Sequence, residues 1–169
     1  MDKVKVLVTG SNGLLGQKIV YQLVKRKDIE LIATAKGPNR LIKNLGYQYL
    51  ELDITNKIEV YHIFNTLQPH AVINCAAMTN VDACEQNQED CWNINVKAVE
   101  YIATASESIK AHLVQLSTDF IFDGNSGPYS EEDSPNPLHF YAKSKLESER
   151  IVQNTMTKWS IARTIIIYG

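Results

Sequence analysis

The stretch Val4-Lys5-Val6-Leu7-Val8-Thr9-Gly10-Ser11-Asn12-Gly13-Leu14-Leu15-Gly16 decides the fold of this chain of 169 residues. It passes from an apolar run of strand length into three glycines with the spacing G-x-x-G-x-x-G, and a helical pattern follows. Such a turn, placed directly after a first strand, brings backbone N–H groups and a helix N-terminus close to a bound pyrophosphate. We predict a dinucleotide site in which Gly10 makes the tight turn, Gly13 allows close backbone approach and Gly16 packs the helix against the sheet.

Strand-like and helix-like patterns alternate along the rest of the chain. Apolar runs occur at 4–8, 30–35, 47–50, 71–74, 112–116 and 160–167, and helical patterns at 14–27, 39–45, 56–67, 88–108 and 140–156. This alternation predicts βαβ units, and near-continuous apolar strands are typical of a parallel sheet covered on both sides. The predicted fold is α/β: a Rossmann-type, doubly wound, mostly parallel sheet with helices on both faces. It would form one NAD(P)-binding domain over residues 1–169.

The composition limits the classes of partner. A net charge of −2 gives no basis for binding nucleic acid or an anionic membrane surface. Cys75, Cys84 and Cys91 form no C-x-x-C pair and have no accompanying histidine cluster, so we expect neither a metal site nor a disulfide framework. The first residues enter a strand without a secretory signal, and no apolar run reaches transmembrane length. We therefore expect a cytoplasmic protein with reduced thiols.

The residues after the second predicted strand indicate which dinucleotide binds. An acidic residue there holds the ribose 2′-hydroxyl of NAD, whereas basic residues accommodate the 2′-phosphate of NADP. The segment 33–40 contains Lys36 and Arg40 and no acidic residue, so the sequence favours NADPH, with NADH still open. The alternative is that both are solvated loop charges. Asp53 and Ile54 follow the third strand, where they could pack on adenine, although Asp53 could equally cap the next helix.

A tyrosine and a lysine four residues apart form a candidate proton-transfer pair. Tyr141 and Lys145 share one face of the last predicted helix. An ammonium beside a phenol favours the phenolate, and lowering the tyrosine pKa from about 10 to roughly 7 requires about 4 kcal/mol. One cation at about 4 Å with an effective dielectric near 20 supplies about that much. The spacing also arises by chance, with the tyrosine merely packing on the lysine stem. The long irregular stretch 123–138 leads into the pair, and loops of this length are often functional.

Four segments together resemble a known family. They are 10–16, 74–79, 116–124, and 128–133 leading on to 141–145. On these segments the chain resembles the extended short-chain dehydrogenases/reductases that act on nucleotide sugars, and within them the dTDP-4-dehydrorhamnose reductases. The likeness covers essentially the whole chain, and the Ser-Thr-Asp-Phe-Ile-Phe-Asp-Gly segment is its most specific part.

The resemblance implies a chemistry and the residues that perform it. It implies an NADPH-dependent reductase of a 4-keto-deoxysugar nucleotide, in which Thr118 hydrogen-bonds the C4 oxygen and Tyr141 donates a proton to it. Lys145 would lower the Tyr141 pKa and bind the nicotinamide ribose. Two donors aimed at the oxygen stabilise the negative charge that ketone reduction builds there. Ser117 is the rival for the role of Thr118, because adjacent strand residues point to opposite sides.

The resemblance also implies cofactor-binding residues on the glycine turn, on the ends of the next strands and on the catalytic helix. They are Gly10, Asn12, Gly13, Leu14, Leu15, Gly16, Lys36, Arg40, Asp53, Ile54, Cys75, Ala76, Ala77, Thr79, Asn95, Tyr141 and Lys145. Asn95 would act by supporting the backbone of the active site. The same resemblance implies a sugar-nucleotide substrate and leaves a homodimer open.

Two other functions stay open. One is an NAD-dependent nucleotide-sugar epimerase or dehydratase, which would retain its cofactor. The other is a non-catalytic subunit similar to the regulatory β subunit of methionine adenosyltransferase. The residues 165–169 look like the strand that closes the cofactor domain, after which the family has a further region that supplies much of the sugar-nucleotide pocket. We therefore expect this chain to be truncated before the substrate-binding region, and its activity alone to be in doubt.

Overall fold

Six parallel strands form a single sheet in the computed structural model, which describes residues 3–42 and 45–168. The strands are β1 Val4–Thr9, β2 Ile29–Ala35, β3 Tyr47–Glu51, β4 Ala71–Asn74, β5 His112–Thr118 and β6 Trp159–Thr164. Their order across the sheet is β3-β2-β1-β4-β5-β6, and every neighbouring pair is parallel. This is the strand order of the Rossmann fold, so the predicted fold class is confirmed.

Helices cover both faces of the sheet. They are α1 Leu14–Leu23, α2 Lys57–Leu67, α3 Val81–Gln86, α4 Gln88–Trp92, a π-helix Asn93–Lys97, α5 Ala98–Ser108, a 3-10 helix Asp119–Ile121 and α6 Phe140–Thr155. Alternate residues of β1 face opposite layers: Val6 and Val8 pack with Val20 of α1, whereas Leu7 belongs to the larger core formed with α2, α5 and α6. Burial of both faces explains why the strands are apolar almost without interruption.

The helix predicted at 39–45 is wrong over its described residues, 39–42 and 45, which form no helix, while 43 and 44 lie outside the described residues. Side chains occupy the backbone N–H groups that a helix would need. Asn39 Oδ1 accepts from the N–H of Leu41 at 2.9 Å, and the Tyr21 hydroxyl accepts from that of Ile42 at 3.1 Å. The bond from Asn39 is local and the one from Tyr21 comes from α1, and both compete with helical bonds.

Other elements also differ from prediction: the helix expected at 14–27 ends at Leu23. The short helix α3 was not predicted. The single helix expected at 88–108 is instead three segments in direct succession: α4, the π-helix and α5. The last strand ends at Thr164 instead of continuing to 167, because its partner β5 ends at Thr118, which pairs with Thr164. Residues 165–168 are consequently exposed.

A buried polar ladder crosses the carboxyl ends of three neighbouring strands. Thr9 donates to Asn74 Oδ1, and Asn74 Nδ2 donates to Gln115 Oε1 at 2.8 Å. Gln115 in turn donates to the carbonyl of Leu116 at 3.0 Å. Ligands of doubly wound sheets bind at this edge, where the strand order reverses between β1 and β4. The ladder therefore fixes the strand ends that border the candidate site.

Candidate functional site

The glycine turn joins β1 to α1 against the end of β4. Gly10 has a φ of +64°, and a Cβ there would lie 2.7 Å from the backbone nitrogen of Ala76. A Cβ on Gly16 would overlap the carbonyl of Gly10 and the backbone of Ser11. Two of the predicted glycine roles, the tight turn and the close helix packing, thus have a steric basis in the fold. Gly13 is exposed, as its predicted role of close ligand approach requires.

The N-terminus of α1 has no side-chain cap. Gly13 is its N-cap residue and has no side chain to accept from the first backbone N–H groups. Those groups and the helix dipole are suited to an anion. Asn12 holds the turn to the loop after β2: it donates to the carbonyl of Pro38 at 3.0 Å and accepts from the N–H of Arg40 at 3.0 Å. Asn12 therefore stabilises the turn, and does not line the cleft described below.

Asn95 holds the segment that follows β4. Its amide accepts from the N–H of Met78 at 2.8 Å and donates to the Met78 carbonyl at 3.0 Å. It also donates to Ser144 Oγ on α6 at 3.0 Å. Asn95 is 2% exposed and lies in the π-helix, a feature that is frequent at functional sites. It contacts the backbone as predicted and does not border the cleft itself.

We expect Asn95→Ala to lower the free energy of unfolding by roughly 1–3 kcal/mol, because it leaves the N–H of Met78 unpaired and its carbonyl with only the Cys84 thiol as donor. Urea denaturation measures the change. Asn93→Ala, in the same π-helix, is the matched control and should change stability by less than about 0.5 kcal/mol. Equal losses in the two variants would show that the Met78 contacts are not what Asn95 contributes.

Tyr141 lies at the start of α6 inside an aromatic wall. His139 caps the helix by accepting from the N–H of Ala142 at 3.2 Å, and its ring stacks on Tyr141. Phe120 meets Tyr141 edge to face, with ring centroids 6.4 Å apart. Burial raises the pKa of Tyr141, and the nearby Thr118 hydroxyl partly opposes that rise. The phenol is therefore protonated at neutral pH.

Lys145 is 3% exposed and donates from Nζ to the carbonyl of Leu116 at 2.5 Å. Burial lowers its pKa to about 8, against the opposing charge of Glu149. The predicted lowering of the Tyr141 pKa by Lys145 is wrong for this arrangement, in which that pKa is raised. The physical reason is that the ammonium is bonded to a strand carbonyl and burial dominates at the phenol.

The structure separates the two hydroxyls at the end of β5. Ser117 donates to the buried carboxylate of Glu149 and is directed toward α6. Thr118 accepts from the N–H of Phe120 at 3.2 Å, donates to Asp119 Oδ1 at 3.2 Å and borders Tyr141. Both residues border the cleft and both hydroxyls donate to a carboxylate. Ser117 is held by the buried Glu149 on the side of α6, whereas the Thr118–Asp119 bond is only part-buried and lies beside Tyr141. This geometry favours Thr118 over Ser117 as the donor to a ligand.

A cleft of about 440 Å³ joins the glycine turn to the Tyr141–Lys145 pair. The predicted residues that border it are Gly10, Gly13, Leu14, Leu15, Gly16, Cys75, Ala77, Thr79, Thr118, Tyr141 and Lys145. The residues that sequence reasoning missed are Leu116, Asp119, Phe120, Thr164, Ile165, Ile166 and Ile167, and Ser117, the rival considered for the role of Thr118, borders the cleft as well. The carboxyl ends of β5 and β6 meet at the same edge, and that adjacency is the signal that could have found the missed residues.

Several residues predicted to bind cofactor lie away from this cleft. Ala76 packs behind Gly10, and Ile54 is buried in the larger core. Lys36 pairs with Asp53, with Nζ 2.7 Å from Oδ2, while Arg40 is exposed on the same loop. Asp53 also accepts from Thr55. The alternative that it caps α2 is wrong, because the cap is Asn56, which accepts from Glu59 at 3.3 Å.

Comparison with known proteins identifies the family. A family model described as RmlD substrate binding domain matches residues 4–169. The chain belongs to this family. It is 36% identical over 98% of its length to a dTDP-4-dehydrorhamnose reductase of Aggregatibacter actinomycetemcomitans, of which it covers 52%. It is 34% identical, again over 98% of its length, to methionine adenosyltransferase 2 subunit beta of Danio rerio, of which it covers 48%.

Solved structures agree with this assignment. A dTDP-4-dehydrorhamnose reductase of Clostridium acetobutylicum superposes with a TM-score of 0.83 at 38% identity, over 98% of this chain and 54% of that one. The enzyme of Bacillus anthracis in complex with NADP gives 0.81 at 31% identity, over 99% and 55%. The predicted resemblance to this group is confirmed. The chain spans about half the length of the relatives it matches.

Two further features concern membranes and metals. None of the helices within 3–42 and 45–168 combines the length and apolarity needed to cross a bilayer. Within the same ranges, no three side chains of His, Cys, Asp or Glu are grouped so that they could hold a metal ion.

Proposed function

We propose that the chain binds NADPH across the cleft and reduces the C4 ketone of a 4-keto-deoxysugar nucleotide. One observation carries this proposal: Thr118 at the end of β5 and Tyr141 and Lys145 of α6 meet in one cleft with the glycine turn. The family relationship to dTDP-4-dehydrorhamnose reductases supports dTDP-4-dehydro-L-rhamnose as the substrate. Residues 1–169 would be the NAD(P)-binding domain of this activity.

The residues present fit a nicotinamide dinucleotide. The uncapped N-terminus of α1 and the exposed Gly13 suit its pyrophosphate, because a side chain at Gly13 would stand where the ligand must approach. Ala77 and Thr79 border the cleft near Lys145, on the side where the nicotinamide half would lie. A relative of known structure carries NADP, which supports a nicotinamide cofactor here.

The catalytic residues would act on the ketone oxygen. Bound NADPH supplies the hydride. Tyr141, protonated because burial raises its pKa, is ready to donate its proton to that oxygen, and Thr118 hydrogen-bonds the same atom. Lys145 borders the same cleft, where it would bind the nicotinamide ribose. Phe120 and His139 pack against the Tyr141 ring and would hold it in place during this step.

The choice of NADPH over NADH would depend on the Lys36–Asp53 ion pair. The carboxylate holds the cation that would bind a 2′-phosphate, and the lysine side chain is 80% exposed. We expect Lys36→Met to weaken NADPH binding about fivefold and to leave NADH binding unchanged. Asp53→Asn should strengthen NADPH binding, because it frees the ammonium.

Titration calorimetry with both cofactors measures these effects. Lys25→Met, which removes an exposed lysine just beyond α1, is the matched control and should change neither affinity. If wild-type protein binds NADH more tightly than NADPH, the proposed cofactor preference is wrong, although the dinucleotide site would stand.

A second candidate function is a non-catalytic regulatory subunit. The similarity to methionine adenosyltransferase 2 subunit beta favours it specifically. The two proposals differ in one experiment, in which the full-length gene product with bound NADPH is mixed with dTDP-4-dehydro-L-rhamnose and NADPH oxidation is followed. A reductase oxidises NADPH in proportion to the sugar added. Folded, NADPH-bound protein that leaves both compounds unchanged would favour the regulatory role.

A further inference from the structure

Two side chains of α6 contact two adjacent residues at the end of β5. Lys145 donates to the carbonyl of Leu116, and one helical turn later Glu149 accepts from the hydroxyl of Ser117. Glu149 is only 1% exposed. Its carboxylate is held by Arg163 of β6, with Nε–Oε1 and Nη2–Oε2 distances of 3.1 and 2.8 Å. The helix that carries Tyr141 is therefore fastened at two points to the strand that carries Thr118.

Resting on the proposed function, we propose that Glu149, held by Arg163, is a positioning residue for the Tyr141–Lys145 pair. Its carboxylate draws the Ser117 hydroxyl toward α6, so that the next residue, Thr118, borders the cleft. It also places a buried negative charge on the same helix face as the Lys145 ammonium, one turn away.

The second role follows from the burial of Lys145. A cation removed from water loses its proton unless an opposite charge faces it. The groups facing this ammonium are Glu149 on α6, Cys75 at the end of β4 and Cys91 on α4. Burial raises the pKa of the Cys75 thiol to about 12, which keeps it neutral. Glu149 is the carboxylate among them, and it supports the protonated form of Lys145.

Arg163 connects this pair to the loop that leads into α6. Its guanidinium lies over the ring of Phe122, 5.5 Å from the centroid, and donates to the carbonyl of Glu131 at 3.3 Å. The bidentate arrangement with Glu149 is one that arginine makes and lysine does not. One buried ion pair thus joins β5, β6, α6 and the loop 122–139 around the candidate active site.

The test is a pH titration of the Lys145 side chain by NMR in protein with labelled lysines, which requires neither cofactor nor substrate. The Lys145 signal is identified as the resonance that is present in wild type and absent in Lys145→Met. We expect Glu149→Gln to lower the midpoint by about one to two pH units. Glu147→Gln, the same change on the same helix beside the exposed Arg150, should leave the midpoint in place. An unshifted midpoint in folded Glu149→Gln would overturn the proposal.

If Glu149→Gln does not fold, Glu149→Gln/Arg163→Gln removes both charges together and leaves no unpaired ion. The midpoint should again fall, but by less than in Glu149→Gln, because the Arg163 cation that disfavours protonated Lys145 is removed together with the Glu149 carboxylate. An unshifted midpoint again overturns the positioning role. The outcome is distinct from that of the proposed function. If the protein reduces the sugar and the Lys145 midpoint is unshifted in Glu149→Gln, only the positioning role is contradicted. If the midpoint shifts as expected but the protein binds no NADPH, only the reductase proposal is contradicted. In active protein, the pH above which kcat/KM decreases should be lower in Glu149→Gln than in wild type. In Glu149→Asp, which keeps the carboxylate, this pH should return to the wild-type value.

Discussion

Tyr141→Phe should reduce turnover of dTDP-4-dehydro-L-rhamnose by about 10²- to 10⁴-fold, the usual contribution of a general acid. The substitution removes the hydroxyl that donates a proton to the ketone oxygen and keeps the ring that packs against Phe120 and His139. The fold and the affinity for NADPH should therefore be unchanged. Steady-state kinetics and NADPH titration on the same preparations measure both quantities.

Tyr61→Phe is the matched control, because it makes the same change on α2, away from the cleft. The Tyr61→Phe variant should turn over dTDP-4-dehydro-L-rhamnose at the wild-type rate. If Tyr141→Phe retains turnover within a few-fold of wild type, the assignment of Tyr141 as proton donor is wrong. A loss of NADPH affinity in that variant would instead indicate that the hydroxyl serves binding.

Gly10→Ala should both destabilise the protein and abolish cofactor binding. An L residue at its φ of +64° costs about 1–2 kcal/mol, and the new Cβ would overlap the backbone of Cys75 and Ala76 at the end of β4. Overpacking of this kind adds about 1–3 kcal/mol. For a chain of this size the sum corresponds to a fall in Tm of about 10 °C. The displaced turn would no longer present its N–H groups to a pyrophosphate.

The control for this substitution is Gly124→Ala. Gly124 has a φ of +81°, and a methyl group added there would meet no atom within 4 Å, so the variant carries the backbone strain without the overlap. We expect it to lose about 1–2 kcal/mol and to bind NADPH normally. Thermal denaturation and NADPH titration measure the two effects. Equal stability losses in both variants would mean that the contact with β4 contributes nothing.

The parts of the site that sequence reasoning predicted are those determined by local spacing. The glycine turn follows its strand directly, and Tyr141 and Lys145 are one helical turn apart, so neither feature depends on distant parts of the chain. The parallel sheet was likewise predictable from apolar runs alternating with helical patterns. The irregular structure of segment 39–42 was not predicted, because its local helical propensity is overridden by hydrogen bonds to distant side chains such as Tyr21.

Features that depend on which strands are neighbours could not be predicted in the same way. Lys36 and Asp53 are seventeen positions apart in the chain and pair only because β2 and β3 are adjacent in the sheet. Arg163 reaches Glu149 because β6 lies beside β5 and under α6. Each of these pairings changes the charge available to a ligand. The direction of the Tyr141 pKa differed from expectation for another non-local reason, the burial of the phenol.

The most direct measurement is an NMR search for contacts between the nicotinamide protons of bound NADPH and the ring protons of Tyr141. It needs no sugar nucleotide, so it tests the site itself. We expect NADPH to bind the folded chain and to give these contacts, with binding lost in Gly10→Ala. Folded wild-type protein that binds no NADPH, or that binds it with the nicotinamide away from Tyr141, would contradict the proposed active site.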